Sequence, residues 1–503
     1  MTRPETGPET GPAAGPETGP AAGGEAGSPP TTPSPTASQP GTQSSPWGNG
    51  RYGSERMRHL LGDLNRYQLF VRVEGALAAV QGRLGVIPAK AAEVIGERAR
   101  EHVCDLDRIA AIEAVSRHEL YAVVQEFAES CAPYTRYVHH GATSSDVIDT
   151  ALALQLDDAI GLLGERLGAL MAALQKQIEK EGRQVMIGRT HGQHAQPVTL
   201  GFKLAVILDQ LTRCLERLDQ LRGRAVMGKM AGAVGSLGGL GPQGPRVQSE
   251  VLARLDLPEP QICAQAVARD RMAEFVCWTA LTAACLENLA TEIRNLQRTE
   301  IGELAESFAE GDQIGSSAMP HKRNPVRSER ICSLARLVRS LVGPALENVV
   351  TWHERDLANS ANERFTLPEA CVLLDEMLIT ATAVMEDLRV YPQRMRENLD
   401  RSRHSHLSEA VMLAMIDRGT DRLDAYRILQ RASAVAARDE RDLVEVLSDD
   451  ERVTAALPRH ELMALAEAAA DIGFCEELTE ETVRRSEEAL EEASQGGLTC
   501  LAR

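Results

Sequence analysis

The chain has 503 residues, of which 43% are hydrophobic and 3% aromatic, and its formal net charge is −18. This length and apolar fraction suffice for about three domain-sized units with buried cores. The negative charge argues against nucleic-acid binding, because neutralising phosphates requires a basic surface. The chain contains neither an apolar run of membrane-spanning length nor an N-terminal signal pattern, so we expect a cytoplasmic protein without membrane contact.

The ten cysteines are scattered along the chain, without a CxxC pair or a regular framework. Such spacing favours reduced thiols in a protein core over zinc ligands or a disulfide scaffold. We therefore expect neither disulfides nor a metal site.

Residues 1–50 are rich in Pro, Gly, Thr, Ser and Glu, and a Pro-Glu-Thr-Gly-Pro motif recurs there in degenerate form. A stretch with so few large apolar side chains buries too little surface to offset its ordering entropy. It is predicted to be a disordered tail.

From Arg51 onward, apolar residues recur at three- and four-residue spacing, and the low aromatic content argues against a β-rich protein. The pattern predicts an all-α fold. Helices of this length suit a bundle built from several chains. Four segments are long enough for extended helices and are separated by links that contain Gly or Pro: residues 146–180, 199–222, 271–299 and 326–349.

Residues 239–244 match the GxGxxG pattern of dinucleotide-binding loops. A helical stretch precedes them where a strand would be required, and Pro242 lies inside the pattern. We interpret the segment as a plain flexible loop.

Residues 315–325 read Gly-Ser-Ser-Ala-Met-Pro-His-Lys-Arg-Asn-Pro and lie immediately before a helical run. A polar segment bounded by Gly and Pro is typical of a mobile loop that carries chemistry, although an ordinary turn that caps the next helix is the alternative. The whole string resembles the signature loop of the fumarase/aspartase superfamily nearly letter for letter. The resemblance implies a fumarate-releasing lyase with that superfamily's long-helix bundle and three helical domains, expected over residues 51–142, 143–390 and 391–503.

By this resemblance, Ser317 is the general base of the reaction. A serine is a poor base unaided, so its alkoxide needs nearby donors and cations, which loop closure around Lys322 would supply. Removing a proton from carbon beside a carboxylate creates a doubly negative intermediate. Lys322 and Asn324 are suitable donors for that charge.

A second segment, residues 188–197, holds His191 and His194 ahead of a helix start marked by Gly and Pro. Histidine suits proton transfer near neutral pH. A surface pair is the alternative, and a metal site would lack obvious further ligands. By resemblance, His191 is the general acid that protonates the departing nitrogen, and Glu329 is the carboxylate that orients it.

A third segment, residues 139–146, reads His-His-Gly-Ala-Thr-Ser-Ser-Asp and precedes a long predicted helix. Free amide groups at a helix start bind carboxylates well. Simple N-capping by Ser145 or Asp146 is compatible with this interpretation. The resemblance implies that Thr143 and Ser144 hold a carboxylate of the succinyl group.

These three segments fit several members of the superfamily, so the substrate depends on other residues. Arg355, Ser360 and Arg364 form a compact stretch apt for a phosphate, although a solvated helix face is the alternative. The stretch resembles the one with which the adenylosuccinate lyase family holds its nucleotide phosphate. Six more residues resemble positions of that family near its substrate: Arg51, Tyr52, Arg117, His118, Glu119 and Gln265.

Glu119 departs from the family pattern, because it replaces the usual aspartate and adds a methylene beside the expected ribose or base site. The long tail also has no counterpart in the typical enzyme. The first departure leaves the exact substrate open.

The resemblance implies a homotetramer with shared active sites that needs no cofactor and eliminates fumarate from an N-succinyl nucleotide in purine biosynthesis. Adenylosuccinate and its carboxamide ribotide analogue (SAICAR) are the expected substrates. One alternative is the same chemistry on a non-nucleotide compound in specialised metabolism, of the nitrosuccinate or hydrazinosuccinate type. Another is a non-catalytic structural paralogue. The candidate phosphate-binding residues argue against the first, and the intact Ser317, His191 and Lys322 argue against the second.

Overall fold

The computed structural model describes residues 50–309, 311, 313–467 and 471–498, so the predicted disordered tail lies outside it except for Gly50. The described part is dominated by α-helices. The helices are α1 (Glu55–Leu61), α2 (Asp63–Arg83), α3 (Ala89–Glu101), α4 (Leu106–Ser116), α5 (Glu119–Ser130), α6 (Ser144–Glu181), α7 (Leu200–Ala225), α8 (Gly244–Arg254), α9 (Asp270–Leu296), α10 (Val326–Ser340), α11 (Val342–Glu347), α12 (Ser360–Glu386), α13 (Pro392–Asp400), α14 (Ser408–Asp417), α15 (Arg422–Arg438), α16 (Leu443–Ser448), α17 (Glu451–Ala456), α18 (Arg459–Glu467) and α19 (Cys475–Gln495). The strands are β1 (Val185–Thr190), β2 (Gln193–Thr199), β3 (Leu304–Ala305) and β4 (Arg389–Val390).

Long helices form the centre of the fold, where α6 packs on α7 and α12, and α9 packs on α7, α10 and α12. The longest, α6, has 38 residues, which corresponds to about 57 Å at the usual rise per residue. Its apolar residues at three- and four-residue spacing, such as Val147, Ala151 and Leu154, are buried. The all-α long-helix prediction is confirmed.

Three of the four predicted long helices are continuous, namely α6, α7 and α9. The fourth prediction, residues 326–349, is wrong in one respect, because α10 ends at Ser340 and α11 begins at Val342. Pro344 lies in the first turn of α11. A proline cannot donate a backbone hydrogen bond and its ring clashes with the preceding turn, which accounts for the break.

The segment around His191 forms an antiparallel hairpin, where the sequence pattern indicates only a helix start. Strands β1 and β2 pair with Val185 opposite Thr199, and the register shifts between Ile187 and Arg189. Helix α7 begins after the hairpin, where the Thr199 side chain accepts a hydrogen bond from the Phe202 N–H at 3.1 Å. The sequence pattern does not predict these strands, because the segment contains Gly188 and Pro197 and lacks an alternation of apolar and polar residues.

Residues 239–243 belong to a 3-10 turn (Gly238–Gln243) and Gly244 is the first residue of α8, so the segment is not a plain loop. The regular element before this turn is helix α7. The strand that a dinucleotide-binding loop requires is therefore missing from this position, and that part of the prediction is confirmed.

Buried apolar side chains form two groups. The larger extends from Met57 to Leu498 and includes the long helices, and the smaller lies within residues 407–462. Helix α19 follows the smaller group in sequence yet packs on α7. The boundaries of the three predicted domains stay a prediction.

Across the described ranges, none of the helices combines the length and the apolar character needed to cross a membrane. Nine cysteines of this part of the chain carry free thiols.

Candidate active site

The start of helix α6 is fixed by a buried carboxylate. The Thr143 N–H donates to Asp146 at 2.8 Å, and Asp146 is fully buried. Asp146 also accepts hydrogen bonds from the Ala231 N–H (2.7 Å), the Gly232 N–H (3.0 Å) and the buried ammonium of Lys229. The first turn of α6 is therefore tied to the segment that follows α7.

A cavity of about 550 Å³ opens beside this helix start, and Ser144, His118 and His139 are among its lining residues. His118 caps α5, where its Nδ1 accepts from the Tyr121 N–H at 3.2 Å, and its Nε2 lies 3.4 Å from Ser144 Oγ. The structure thus brings together two residues that the sequence assigns separately to the substrate site.

His139 is a candidate site residue that the sequence analysis did not assign. Its Nδ1 lies 2.6 Å from Oε1 of Glu74, a buried carboxylate. Burial alone would lower the pKa of His139, but the charge and hydrogen bond of Glu74 outweigh it and the pKa is raised. Its position in the sequence could have indicated this role, because it lies two residues before Gly141 in the segment that carries Thr143 and Ser144.

Glu119 and Arg364 form a two-point ion pair. Arg364 Nη1 and Nη2 donate to the carboxylate at 3.0 and 2.7 Å. Tyr67 also donates to it at 3.0 Å, and Arg66 forms a further ion pair. Burial raises the pKa of Glu119, but the hydrogen bonds from Arg364 and the charge of Arg66 more than offset this, and the pKa is lowered. A ligand phosphate would have to share Arg364 with this carboxylate.

The predicted phosphate-binding stretch packs against the segment that carries Gln265. The Gln265 N–H donates to the Glu354 carbonyl at 3.2 Å, and its side-chain amide donates to the Ala233 carbonyl at 2.8 Å. Arg355 donates to Asn359 at 3.0 Å, directly before α12 begins at Ser360. Gln265 and Arg355 therefore lie on contacting segments.

The loop of residues 315–325 is closed at its base. The side-chain amide of Asn324 donates to the Gly315 carbonyl at 3.0 Å. A Cβ at Gly315 would lie 2.3 Å from the Lys322 carbonyl oxygen, so a side chain cannot fit there. Ser316 Oγ accepts from the Met319 N–H at 3.2 Å, whereas Ser317 and Lys322 are exposed.

Glu306 fixes the helix that follows this loop. Its Oε1 accepts hydrogen bonds of 2.6 Å from both the backbone N–H and the hydroxyl of Ser328, which lies in the first turn of α10. The second oxygen of Glu306 accepts from the Arg327 N–H at 3.2 Å. The end of the loop is therefore anchored, while the serine predicted to be the base faces solvent.

His191 lies at the tip of the β1–β2 hairpin, exposed and with a φ of 54°. The hairpin is anchored by Arg189, which donates to the buried Glu303 at 2.9 and 2.8 Å. Glu329 is exposed in the first turn of α10. In the part of the chain described, no hydrogen bond joins His191 to Glu329, and the predicted triad geometry stays a prediction.

The remaining predicted residues are Arg51, Arg117 and Tyr52. Arg51 and Arg117 are exposed, and Arg117 has a φ of 55° between α4 and α5. Tyr52 packs against the large core, and its carbonyl accepts a hydrogen bond from Arg58 at 3.0 Å. The cavity beside α6 therefore gathers only a part of the predicted site within one chain.

The chain matches known families over most of its length. Residues 52–340 match the sequence model described as Lyase, and residues 405–482 match the one described as adenylosuccinate lyase C-terminus. An adenylosuccinate lyase of Pyrococcus horikoshii is 43% identical over 415 residues, which cover 82% of this chain and 92% of that protein.

Solved structures share the fold. A fumarate lyase from Mesorhizobium sp. BNC1 has a TM-score of 0.80 at 32% identity, covering 87% of this chain and 99% of that one. A 3-carboxy-cis,cis-muconate lactonizing enzyme from Pseudomonas putida has a TM-score of 0.78 at 32% identity, with 87% and 98% covered. The long-helix bundle and the matched lyase region define the class, a lyase of the fumarase/aspartase superfamily. Within that class, the chain belongs to the adenylosuccinate lyase family.

Proposed function

We propose that this protein is a carbon–nitrogen lyase that eliminates fumarate from an N-succinyl nucleotide, adenylosuccinate or SAICAR, in purine biosynthesis. The observation that carries the proposal is the 43% identity to an adenylosuccinate lyase over 82% of the chain. The geometry beside α6 supports it, because a helix start, a serine and two histidines surround one cavity.

The start of α6 is suited to a carboxylate of the succinyl group. Backbone N–H groups and the positive end of the helix dipole favour an anion at this position. Thr143 is the N-cap residue, and Ser144 offers a hydroxyl that already lies beside His118. Because Asp146 and Lys229 hold this turn in place, little reorganisation is needed when the substrate binds.

The proposed reaction is an anti β-elimination. Ser317 removes the proton from the β carbon, and Lys322 and Asn324 stabilise the dianion that forms. His191, oriented by Glu329, protonates the nitrogen as the C–N bond breaks, so fumarate and an amine leave. The exposed position of Ser317 and Lys322 on a loop with a fixed base suits closure over the substrate.

The nucleotide phosphate is proposed to bind near the start of α12. Ser360 is the first residue of that helix, and Arg355 lies in the turn before it. Arg364 is one turn further along. Arg51 and Tyr52 are the other proposed contacts to the nucleotide, and they precede Gly53, which packs on Val372 of α12. Arginine suits this role because its planar donors match phosphate oxygens.

We further propose a homotetramer with active sites shared between subunits. The proposed catalytic residues His191, Ser317 and Lys322 are exposed on separate elements of one chain, which neighbouring chains could bring together. Large apolar side chains on the central helices are exposed as well, including Leu281 (43%) and Leu337 (53%). Packing between copies of the chain would cover them.

One observation favours a second candidate, the same elimination on a succinyl compound without a phosphate. Arg364, proposed to bind phosphate, already donates twice to Glu119. A substrate without a phosphate would leave this ion pair intact.

A matched pair of substrates separates the two candidates. The purified full chain is incubated with adenylosuccinate, with succinyladenosine, which has the same base and ribose but no phosphate, and with other non-phosphorylated succinyl amines. Fumarate release is followed by proton NMR. We expect kcat/KM for adenylosuccinate to exceed that for succinyladenosine by about 100-fold, since charged hydrogen bonds to the phosphate are lost. Turnover confined to the non-phosphorylated compounds would overturn the nucleotide proposal.

A further inference from the structure

Three side chains with different metal-binding atoms meet between α3, α5 and the link from α3 to α4. His102 caps the end of α3, Cys104 lies in the link to α4, and Glu126 belongs to α5. Their imidazole nitrogen, sulfur and carboxylate oxygen all lie within 4.8 Å of one another. The shortest separation, between His102 Nε2 and Glu126 Oε2, is 2.7 Å.

We propose that His102, Cys104 and Glu126 form a site for a single divalent transition-metal ion of the zinc class. Tetrahedral bonds of about 2.0 to 2.3 Å place neighbouring ligand atoms about 3.5 Å apart. The present separations, which range from 2.7 Å to at most 4.8 Å, lie on both sides of this value. A water molecule completes the tetrahedron, since His102 keeps 11% of its side chain exposed.

The charges of these groups suit a buried divalent cation. The thiol of Cys104 releases its proton to solvent when the metal–sulfur bond forms, and the neutral imidazole of His102 supplies a lone pair. One thiolate and one carboxylate then balance the two positive charges. A neutral cluster limits the desolvation cost at a position where Cys104 is 5% exposed and the Glu126 side chain 8%.

The surroundings hold the proposed ligands in place. The side-chain amide of Gln68 can be oriented so that both its nitrogen and its oxygen form hydrogen bonds. The nitrogen then donates to the His102 carbonyl at 3.0 Å, and the oxygen accepts from the Cys104 N–H at 2.8 Å. The ring of Phe127 meets the His102 ring edge-on, with the centroids 5.3 Å apart. Supporting contacts of this kind orient metal ligands and reduce the cost of binding.

The site lies at the far part of a helix whose start contacts the candidate active site. Glu126 is seven residues, or about 10 Å along the axis, from Glu119, which pairs with Arg364. A metal ion would tie α5 to the link between α3 and α4. It would therefore restrict the position of α5, the helix that begins at His118 and Glu119.

Cobalt(II) provides a direct probe of the sulfur ligand. The full chain is treated with a chelator, exchanged into metal-free buffer and titrated with Co²⁺, and the near-ultraviolet thiolate-to-cobalt absorption band is recorded. Zn²⁺ is then added in competition. We expect one equivalent of Co²⁺ to give this band, and Zn²⁺ to remove it and raise the Tm.

Cys104→Ser and Glu126→Gln are the test variants, and Cys131→Ser is the matched control, because Cys131 is a buried thiol at the end of the same helix and outside the cluster. Both test variants should lose the band and the Zn²⁺-dependent rise in Tm, whereas Cys131→Ser should keep both. The second test variant retains a hydrogen-bonding side chain and covers the case in which Cys104→Ser fails to fold. Absence of the band in the unmodified chain, or its persistence in Cys104→Ser, overturns the proposal.

Discussion

Both terminal N–H groups of the Arg364 guanidinium donate hydrogen bonds to the carboxylate of Glu119, over distances of 3.0 and 2.7 Å. The two residues are 245 positions apart in the chain. Glu119 therefore orients the arginine proposed to bind phosphate and at the same time competes with the phosphate for it. The ion pair connects α5, one of the N-terminal helices, to the start of α12.

Arg364→Ala should separate phosphorylated from non-phosphorylated substrates. Losing a charged hydrogen bond of about 1.5–3 kcal/mol should raise KM for adenylosuccinate by about 10- to 100-fold. KM for succinyladenosine should change far less, because that compound lacks the phosphate. Steady-state kinetics on both compounds measure the difference. Arg108→Ala, which removes an exposed ion pair with Glu129, is the control and should leave both values unchanged. Equal losses on both substrates would contradict a phosphate role for Arg364.

Glu119→Gln should make stability less dependent on acid pH. The pKa of Glu119 is lowered in the folded chain, so its ionised form stabilises the fold above the unfolded pKa of about 4.3. That contribution is lost as the pH falls through the folded pKa. The free energy of unfolding of the variant should be lower than that of the parent by about 1–3 kcal/mol at pH 7. This difference should disappear below about pH 4. Urea unfolding of both proteins across this pH range measures the difference in unfolding free energy. A difference that stays constant with pH would mean that the ion pair is not its cause.

Much of the helical framework could be predicted from local pattern alone. The apolar period of helix α6 predicts it, although its N-cap is Thr143 and not Ser145 or Asp146, which lie inside the helix. The ion pair of Glu119 with Arg364, and that of His139 with Glu74, join distant segments and leave no local trace. The β1–β2 hairpin also leaves no clear local pattern, because its strands contain Gly188 and Pro197 and do not alternate apolar with polar residues.

The assembly of the site could not be predicted from the spacing of its motifs. Loop 315–325, the hairpin tip at His191 and the start of α6 each keep the residue types of the resemblance. Which of them meet depends on how the helices pack. Within one chain, hydrogen bonds bring His118 to Ser144 and Glu119 to Arg364, and the segment of Gln265 contacts that of Arg355. The distances between the other motifs follow from the packing of helices that are far apart in sequence, which no motif encodes.

Ser317→Ala should abolish elimination while substrate binding is preserved. Loss of a general base lowers kcat by about 10²- to 10⁴-fold, and KM should change little because Ser317 is not proposed to bind the ground state. Fumarate release and equilibrium binding of adenylosuccinate measure the two effects. The neighbouring Ser316→Ala is the control: Ser316 Oγ shapes the turn through the Met319 N–H, so a smaller loss is expected. Near-normal turnover in Ser317→Ala would remove it from the base role.

Mixing two inactive variants should restore activity if active sites are shared between subunits. His191→Ala and Ser317→Ala would each be inactive alone. After joint unfolding and refolding at equal concentrations, sites that take His191 from one parent and Ser317 from the other are intact, giving about a quarter of the normal sites. Specific activity of the mixture measures this, and variants refolded separately and then combined serve as the control. A mixture that stays inactive would indicate that both residues come from one chain.

Lys229→Met should destabilise the fold and the start of α6 together. Lys229 and Asp146 form a fully buried ion pair, and Asp146 also holds the Thr143 N–H. Removing the ammonium leaves a buried carboxylate without its counter-charge, which costs about 3–5 kcal/mol of unfolding free energy. Lys203→Met is the matched control, because its pair with Glu292 is 22% and 34% exposed and such pairs contribute only about 0–1 kcal/mol. Chemical denaturation of both variants compares them directly.

An equally small loss in both would mean that the backbone hydrogen bonds of Asp146 alone fix the helix start. A loss of stability confined to Lys229→Met, with a matching rise in KM for adenylosuccinate, would show that this ion pair holds the turn proposed to bind the carboxylate.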